Sequence, residues 1–237
     1  CPLLAFALVC RGWRRVAGTR LLTRAKSGLA MSGRAELVEW AAGLGCPLDT
    51  YYANLICFAA RRGQPEVLRG LLRWRRQRGP DPTGDESTVR AAALAGARHG
   101  HLEVLQLLRR ERGFATTGAL MEQAALGGHV KTLRWARETG CDWDESACAA
   151  AAQSGHLDAL QWLRAEGCPW NARTCEEAAA RGRVEVLRWA RENGGDWNAG
   201  TCAYAALGGQ LEVLQWMRAE GCPWNWTTCY HAVNEGH

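Results

Sequence analysis

The chain has 237 residues, 47% hydrophobic and 22% charged, which is too apolar for a disordered chain and enough for one or two folded domains. Its longest apolar run, Cys1 to Cys10, falls well short of the roughly 18 residues a membrane helix needs, and it lacks the basic leader and small-residue cleavage site of a secretory signal. We therefore expect no membrane segment, and a cytosolic or nuclear setting that keeps the 11 cysteines as thiols. The formal charge of +5 is unevenly spread, with 14 basic and 4 acidic side chains in residues 1–80 against 15 and 20 in residues 81–237.

The first segment, residues 1–27, contains LAFALVCRGWRRVA from Leu4 to Ala17. Leu8-Val9-Cys10-Arg11 followed by Trp13-Arg14 resembles the closing helix of an F-box. That resemblance implies docking onto the Skp1 adaptor of a ubiquitin ligase. A plain helix capping the rest of the chain is the alternative, and the segment leaves both open.

From residue 28 onward the chain repeats itself. Segments opening at Gly128, Gly155, Gly182, Gly209 and Gly236 return every 27 residues, and earlier copies open at Gly33, Gly63 and Gly100, at spacings of 30, 37 and 28. Such self-similarity is the mark of a stacked-repeat architecture. The long interval holds GPDPTGDEST, residues 79–88, whose Gly, Pro and Asp content reads as an inserted surface loop. The stretch from Arg61 to Arg78 just before it is rich in arginine, which permits contact with phosphates. Spread along helices, these arginines read as a solvated face, so nucleic acid is not the expected partner.

Within the unit GHLDALQWLRAEGCPWNARTCEEAAAR, Leu157, Leu160, Trp162 and Leu163 follow the three- and four-residue spacing of one helix face, with Gly167 at the helix end. Asn171 is placed as the N-cap of another helix through Thr174, Cys175, Ala178 and Ala179, closed by Gly182. Each unit is thus two short helices, a first lined with small residues and a second lined with leucine. Helices this short are marginal alone, so stability must come from stacking.

Thr-Cys-x-x-Ala-Ala followed by Gly-His-Leu-Glu-Val-Leu is similar to the ankyrin repeat pattern, over roughly 200 residues, and Thr228-Cys229-Tyr230-His231-Ala232 comes nearest to its Thr-Pro-Leu-His box. Cys stands where the family has Pro, and the 27-residue period is shorter than the usual roughly 33. The resemblance implies an all-α, right-handed solenoid of stacked antiparallel helix pairs, with the family's β-hairpin fingers shortened or absent. Because Gly236-His237 opens a further unit, we read the last unit as truncated and expect Val213, Leu214, Trp216 and Met217 to be partly uncovered.

Several columns invite a chemical reading. Cys148, Cys175, Cys202 and Cys229 form one, and Cys141, Cys168 and Cys222 another. Stacked helices lie about 8–10 Å apart, whereas zinc holds sulfur at ~2.3 Å, so these read as buried small hydrophobes and no metal or cofactor is expected. Trp135, Trp162, Trp189 and Trp216, and in the loops Trp143, Trp170, Trp197 and Trp224, read as inter-repeat packing. His101, His129 and His156 sit between helices, where the resemblance implies a tie to the neighbouring backbone. Arg183 and Gln210 at equivalent places argue against a required imidazole. No unique nucleophile–base pair or phosphate-binding glycine loop is present, so no enzymatic activity is expected.

Comparing the regular copies shows which positions vary, and these collect at the start of the first helix. Arg173, Glu176, Glu177, Tyr204, Trp226, Tyr230 and His231 are the partner-binding candidates, on what the resemblance implies is the concave face. The expected function is a scaffold for protein–protein interaction, or alternatively an F-box substrate receptor that uses the repeats to hold its substrate.

Overall fold

A computed structural model describes Val38, residues 48–79 and residues 85–236. The F-box-like segment within residues 1–27, most of the unit opening at Gly33, and residues 80–84 lie outside this description. The described residues are helices joined by turns, with no strand among them, and they form two units that divide between Ala115 and Thr116.

In the first unit, α1 (Leu48–Arg61) pairs with α2 (Pro65–Gln77), and α3 (Asp85–Arg98) pairs with α4 (Leu102–Arg112). The two first helices, α1 and α3, stack side by side, and Ile56, Leu68, Leu71, Leu105 and Leu108 fill the core with at most 1% exposure. Pro65 opens α2, where its missing N–H is no loss. The expected loop 79–88 is shorter than its composition suggested, because Asp85–Thr88 already form the opening of α3. An acidic, hydroxyl-rich Asp-Glu-Ser-Thr run suits a helix N-terminus, and that preference outweighs its loop-like composition.

The second unit holds α5 (Gly118–Leu126), α6 (Val130–Glu138), α7 (Glu145–Ser154), α8 (Leu157–Ala165), α9 (Ala172–Ala180), α10 (Val184–Glu192), α11 (Ala199–Leu207), α12 (Leu211–Ala219) and α13 (Trp226–Asn234). The first helices α5, α7, α9, α11 and α13 stack in one tight row, each except α13 backed by its own second helix. Small residues make the tight row possible: Cys148, Ala151 and Ala152 on α7 and Cys175, Ala178 and Ala179 on α9 are all at most 2% exposed. The second helices bury Leu133, Leu160, Leu163 and Leu187 against that row, and they touch one another far less. Within this unit the stack therefore closes up on the first-helix side.

Helix ends are set by two local rules. Asp144, Asn171, Asn198 and Asn225 cap their helices, each side-chain oxygen accepting a backbone N–H two residues on. At Asn198 the box is complete, since Thr201 Oγ1 accepts the Asn198 N–H in return. At the other end a left-handed glycine folds the chain back. The Gly155 N–H donates to the Ala152 carbonyl and the His156 N–H to that of Ala151. A side chain from the following unit then lies over the glycine: a Cβ on Gly128 would stand 2.6 Å from the His156 ring. The tie to a neighbouring backbone is direct at His101, whose Nε2 is 3.1 Å from the Arg61 carbonyl, and at Arg183, whose Nε donates to the Gln153 carbonyl at 3.2 Å.

Candidate interaction surface

The partner-binding candidates fall on three consecutive first helices, Arg173, Glu176 and Glu177 on α9, Tyr204 on α11, and Trp226, Tyr230 and His231 on α13. Arg173 Nε lies 3.5 Å from Glu177 Oε1 one turn away, and Gln153 on α7 donates to Glu177 Oε2 at 3.0 Å. Glu176 leans toward α11, where Gly200 leaves room: a Cβ there would stand 3.0 Å from Glu176 Oε1. Partial burial, with the Glu177 charge beside it, holds the Glu176 carboxyl above its ordinary range despite Arg173. On α13 the rings form a chain, Trp226 to Tyr230 at 6.0 Å and Tyr230 to His231 at 5.6 Å between centroids. Trp226 is 74% exposed, Tyr230 56% and Tyr204 41%.

The equivalent positions elsewhere do not behave alike. Ala149, Ala150 and Ala203 occupy the same places and are buried. Variation in this column thus decides whether a position belongs to the surface at all. An alanine lets the row close over it, whereas a bulky side chain turns outward.

The column tryptophans are half-buried, as packing requires, except Trp224, which is 43% exposed. Loop and helix rings meet edge to face in three successive junctions, Trp143 with Trp162 at 6.1 Å, Trp170 with Trp189 at 5.7 Å and Trp197 with Trp216 at 5.6 Å. An arginine covers each loop ring, Arg137 over Trp143, Arg164 over Trp170 and Arg191 over Trp197, at 4.3 to 4.7 Å from the ring centre. Cation and ring occupy each other, which leaves little bare platform for a stacked base. The basic stretch of the first unit is similarly engaged. Arg69 pairs with Glu66, Arg75 and Arg78 with Asp49, and Arg76 with Glu111, while Arg78 also lies over Trp74.

Of the four residues expected to be partly uncovered, Val213, Leu214 and Met217 are instead buried, at 2%, 8% and 0% exposure, whereas Trp216 is half-buried and Leu211 and Val233 of the same unit are exposed. Packing against α11 and the Trp197 ring is enough to bury this apolar stripe.

The two cysteine columns, read separately in the sequence, come together in the structure. Cys202 on α11 and Cys222 in the loop before α13 lie with their sulfurs 3.2 Å apart, and Cys148 and Cys168 occupy the corresponding positions 54 residues earlier. The offset of 20 residues between partners was the available signal. Burial holds the Cys175 thiol, whose loop counterpart is Gly195, up to about 11, with Asp196 and Glu176 adding to the effect. Among the described residues no group of three or more His, Cys, Asp or Glu is placed to hold a metal ion, and no helix is long and apolar enough to cross a membrane.

These features define a stacked-repeat solenoid that presents a surface. A family model described as ankyrin repeats (many copies) matches residues 121–164. Among solved structures, the human ASB11 ankyrin repeat domain superposes with a TM-score of 0.53 at 18% identity, over 70% of this chain and 83% of that one. No curated protein matches the chain. Residues 121–164 are ankyrin repeats, and the described residues have the ankyrin-repeat fold, with tight loops in place of fingers.

Proposed function

We propose that this chain is a scaffold for protein–protein interaction whose partner lies along the first-helix row of residues 116–236, without a catalytic role. One observation carries the reading: Tyr204, Trp226 and Tyr230 stand exposed on two adjacent stacked helices, the two tyrosines at positions where the alanines of other copies are buried. Exposed aromatics beside charged groups are what binding hot spots are made of, and repeat solenoids bind through such extended faces. Glu176, Glu177, Arg173 and His231 supply the polar part. A cytosolic or nuclear setting, where thiols stay reduced, is the setting we assign with it. Docking onto the Skp1 adaptor is the finer alternative and rests on Leu4–Ala17 alone.

The test compares three proteins as affinity baits in one cell lysate: the parent, a Tyr204→Ala/Trp226→Ala/Tyr230→Ala variant, and a Gln161→Ala/Gln215→Ala control altered on the second helices. Proteins captured by parent and control but lost with the aromatic variant, at unchanged helical circular dichroism, are expected. Equal capture by all three would remove the first-helix row from the reading.

A further inference from the structure

Two pairs of thiols stand 54 residues apart in corresponding places, Cys148 with Cys168 and Cys202 with Cys222. All four are 2% exposed or less, on the line where a first helix meets the loop that introduces the next unit. The Cys202 and Cys222 sulfurs are 3.2 Å apart, and Cys148 and Cys168 hold the corresponding places with the same burial. Each loop thiol also reaches the carbonyl of a capping residue, Cys168 to Asp144 at 3.4 Å and Cys222 to Asn198 at 3.5 Å. These contacts hold the loop sulfur of each pair from the backbone. A disulfide holds its sulfurs about 2.05 Å apart, so bonding Cys202 to Cys222 asks for an approach of little more than about 1 Å, without bringing distant elements together.

The intervening junctions supply comparison thiols in the same fold. Cys175 faces Gly195 where the others face a cysteine, and Cys141 hydrogen-bonds the Thr117 carbonyl at 2.9 Å with Met121 in the first-helix place. The partner thiol, with a smaller contribution from Arg164 or Arg218 and against the effect of burial, holds Cys168 and Cys202 below the ordinary thiol range, while Cys148 and Cys222 are pushed up. A neighbouring cation and a thiol donor both favour the thiolate, the form that reacts.

We propose that Cys202–Cys222 and Cys148–Cys168 are two intramolecular disulfide sites, each stapling a first helix to the loop that opens the next unit. The co-reactant is a low-molecular-weight disulfide of the glutathione type. One protein thiolate, exposed by local opening, attacks a sulfur of that disulfide and expels one thiolate, leaving a mixed disulfide. The partner thiol gives up its proton and attacks the protein sulfur, expelling the second. Two protein thiols are oxidised to one disulfide, one small disulfide is reduced to two thiols, and the two protons pass to the departing sulfurs. Adjacent repeats are then covalently tied, and the second unit resists unfolding more strongly than before.

The full chain is incubated with oxidised glutathione in native buffer, and its cysteines are mapped by non-reducing proteolysis and mass spectrometry. Exposed Cys229 reports that the reagent is active. The expected result is two cross-linked peptide pairs, each lighter by two hydrogen atoms, joining Cys202 to Cys222 and Cys148 to Cys168, while Cys141 and Cys175 remain thiols. In the Cys222→Ala chain only the Cys202 link should vanish, with the Cys148–Cys168 link as internal reference. Unchanged pairs after Cys229 has reacted, stable glutathione adducts on paired residues, or links that form only in urea would each overturn the proposal.

Discussion

The tryptophan junctions give the sharpest check on how the array holds together. Trp189 sits half-buried on α10 with its ring edge-on to Trp170, 5.7 Å between centroids and inclined by 62°, and Arg164 covers Trp170 at 4.6 Å. If such a ring removes about 100 Å² from water, at ~25 cal/mol per Å² its burial contributes about 2.5 kcal/mol. The edge-to-face pair adds about 1 kcal/mol, so Trp189→Ala should cost about 3.5 kcal/mol. Trp170→Ala loses the ring pair and the Arg164 contact together, for about 2 kcal/mol. The double variant should cost about 1 kcal/mol less than the sum, because the pair term is counted in both single variants. Urea unfolding of the four proteins measures this, and native-state hydrogen exchange at the Leu187 and Ala190 amides locates the loss, since stacked arrays need not unfold in one step. Trp143 and Trp189, which belong to different junctions, are the comparison pair. A Trp170–Trp189 coupling under about 0.3 kcal/mol, within ordinary additivity, would refute the claim that these rings hold the repeats together.

Two further outcomes follow from local geometry. Gly167→Ala, at φ +85° with open space around it, should cost about 1–2 kcal/mol of backbone strain, measured by urea unfolding. Gly128→Ala, at φ +71° under the His156 ring, should cost roughly 1 kcal/mol more for the displaced ring, and His156→Ala should abolish that excess. Because Glu176 has a raised folded-state pKa, ionising it opposes folding: its contribution is full below the unfolded value and is lost as pH rises through the folded one. Glu176→Gln should therefore raise the melting temperature at pH 7, with the gain shrinking as pH falls through the raised folded value and gone well below the unfolded value of 4.5. A gain that persists undiminished in acid would place its cause elsewhere.

Much of this architecture is legible in the residues because the repeat states its rules several times over. The 27-residue return of glycine, the Asn171 cap and the leucine face of α8 all describe local structure, and local structure follows from neighbours in sequence. What the sequence concealed depends on contacts between columns. The cysteines form two columns; within a column the stacking distance is too long for any bond, while the short contact runs from one column to the other. The same holds for the tryptophans, whose loop and helix rings are partners. The variable positions on the first-helix row were read as surface throughout, yet Ala149, Ala150 and Ala203 are buried, because exposure there depends on side-chain size as well as register.

The position after each turn glycine has a wider consequence. His101 and Arg183, different in shape and chemistry, each hydrogen-bond a carbonyl of the preceding unit, and His156 and Gln210 lie over the preceding glycine. A junction that accepts any of three residue types does not depend on which copy stands on either side of it. Units built this way behave as interchangeable cassettes. Recombination can lengthen or shorten the array by whole units while each join keeps the same contacts, so the length of the array and the side chains shown on its first-helix row can change independently during evolution.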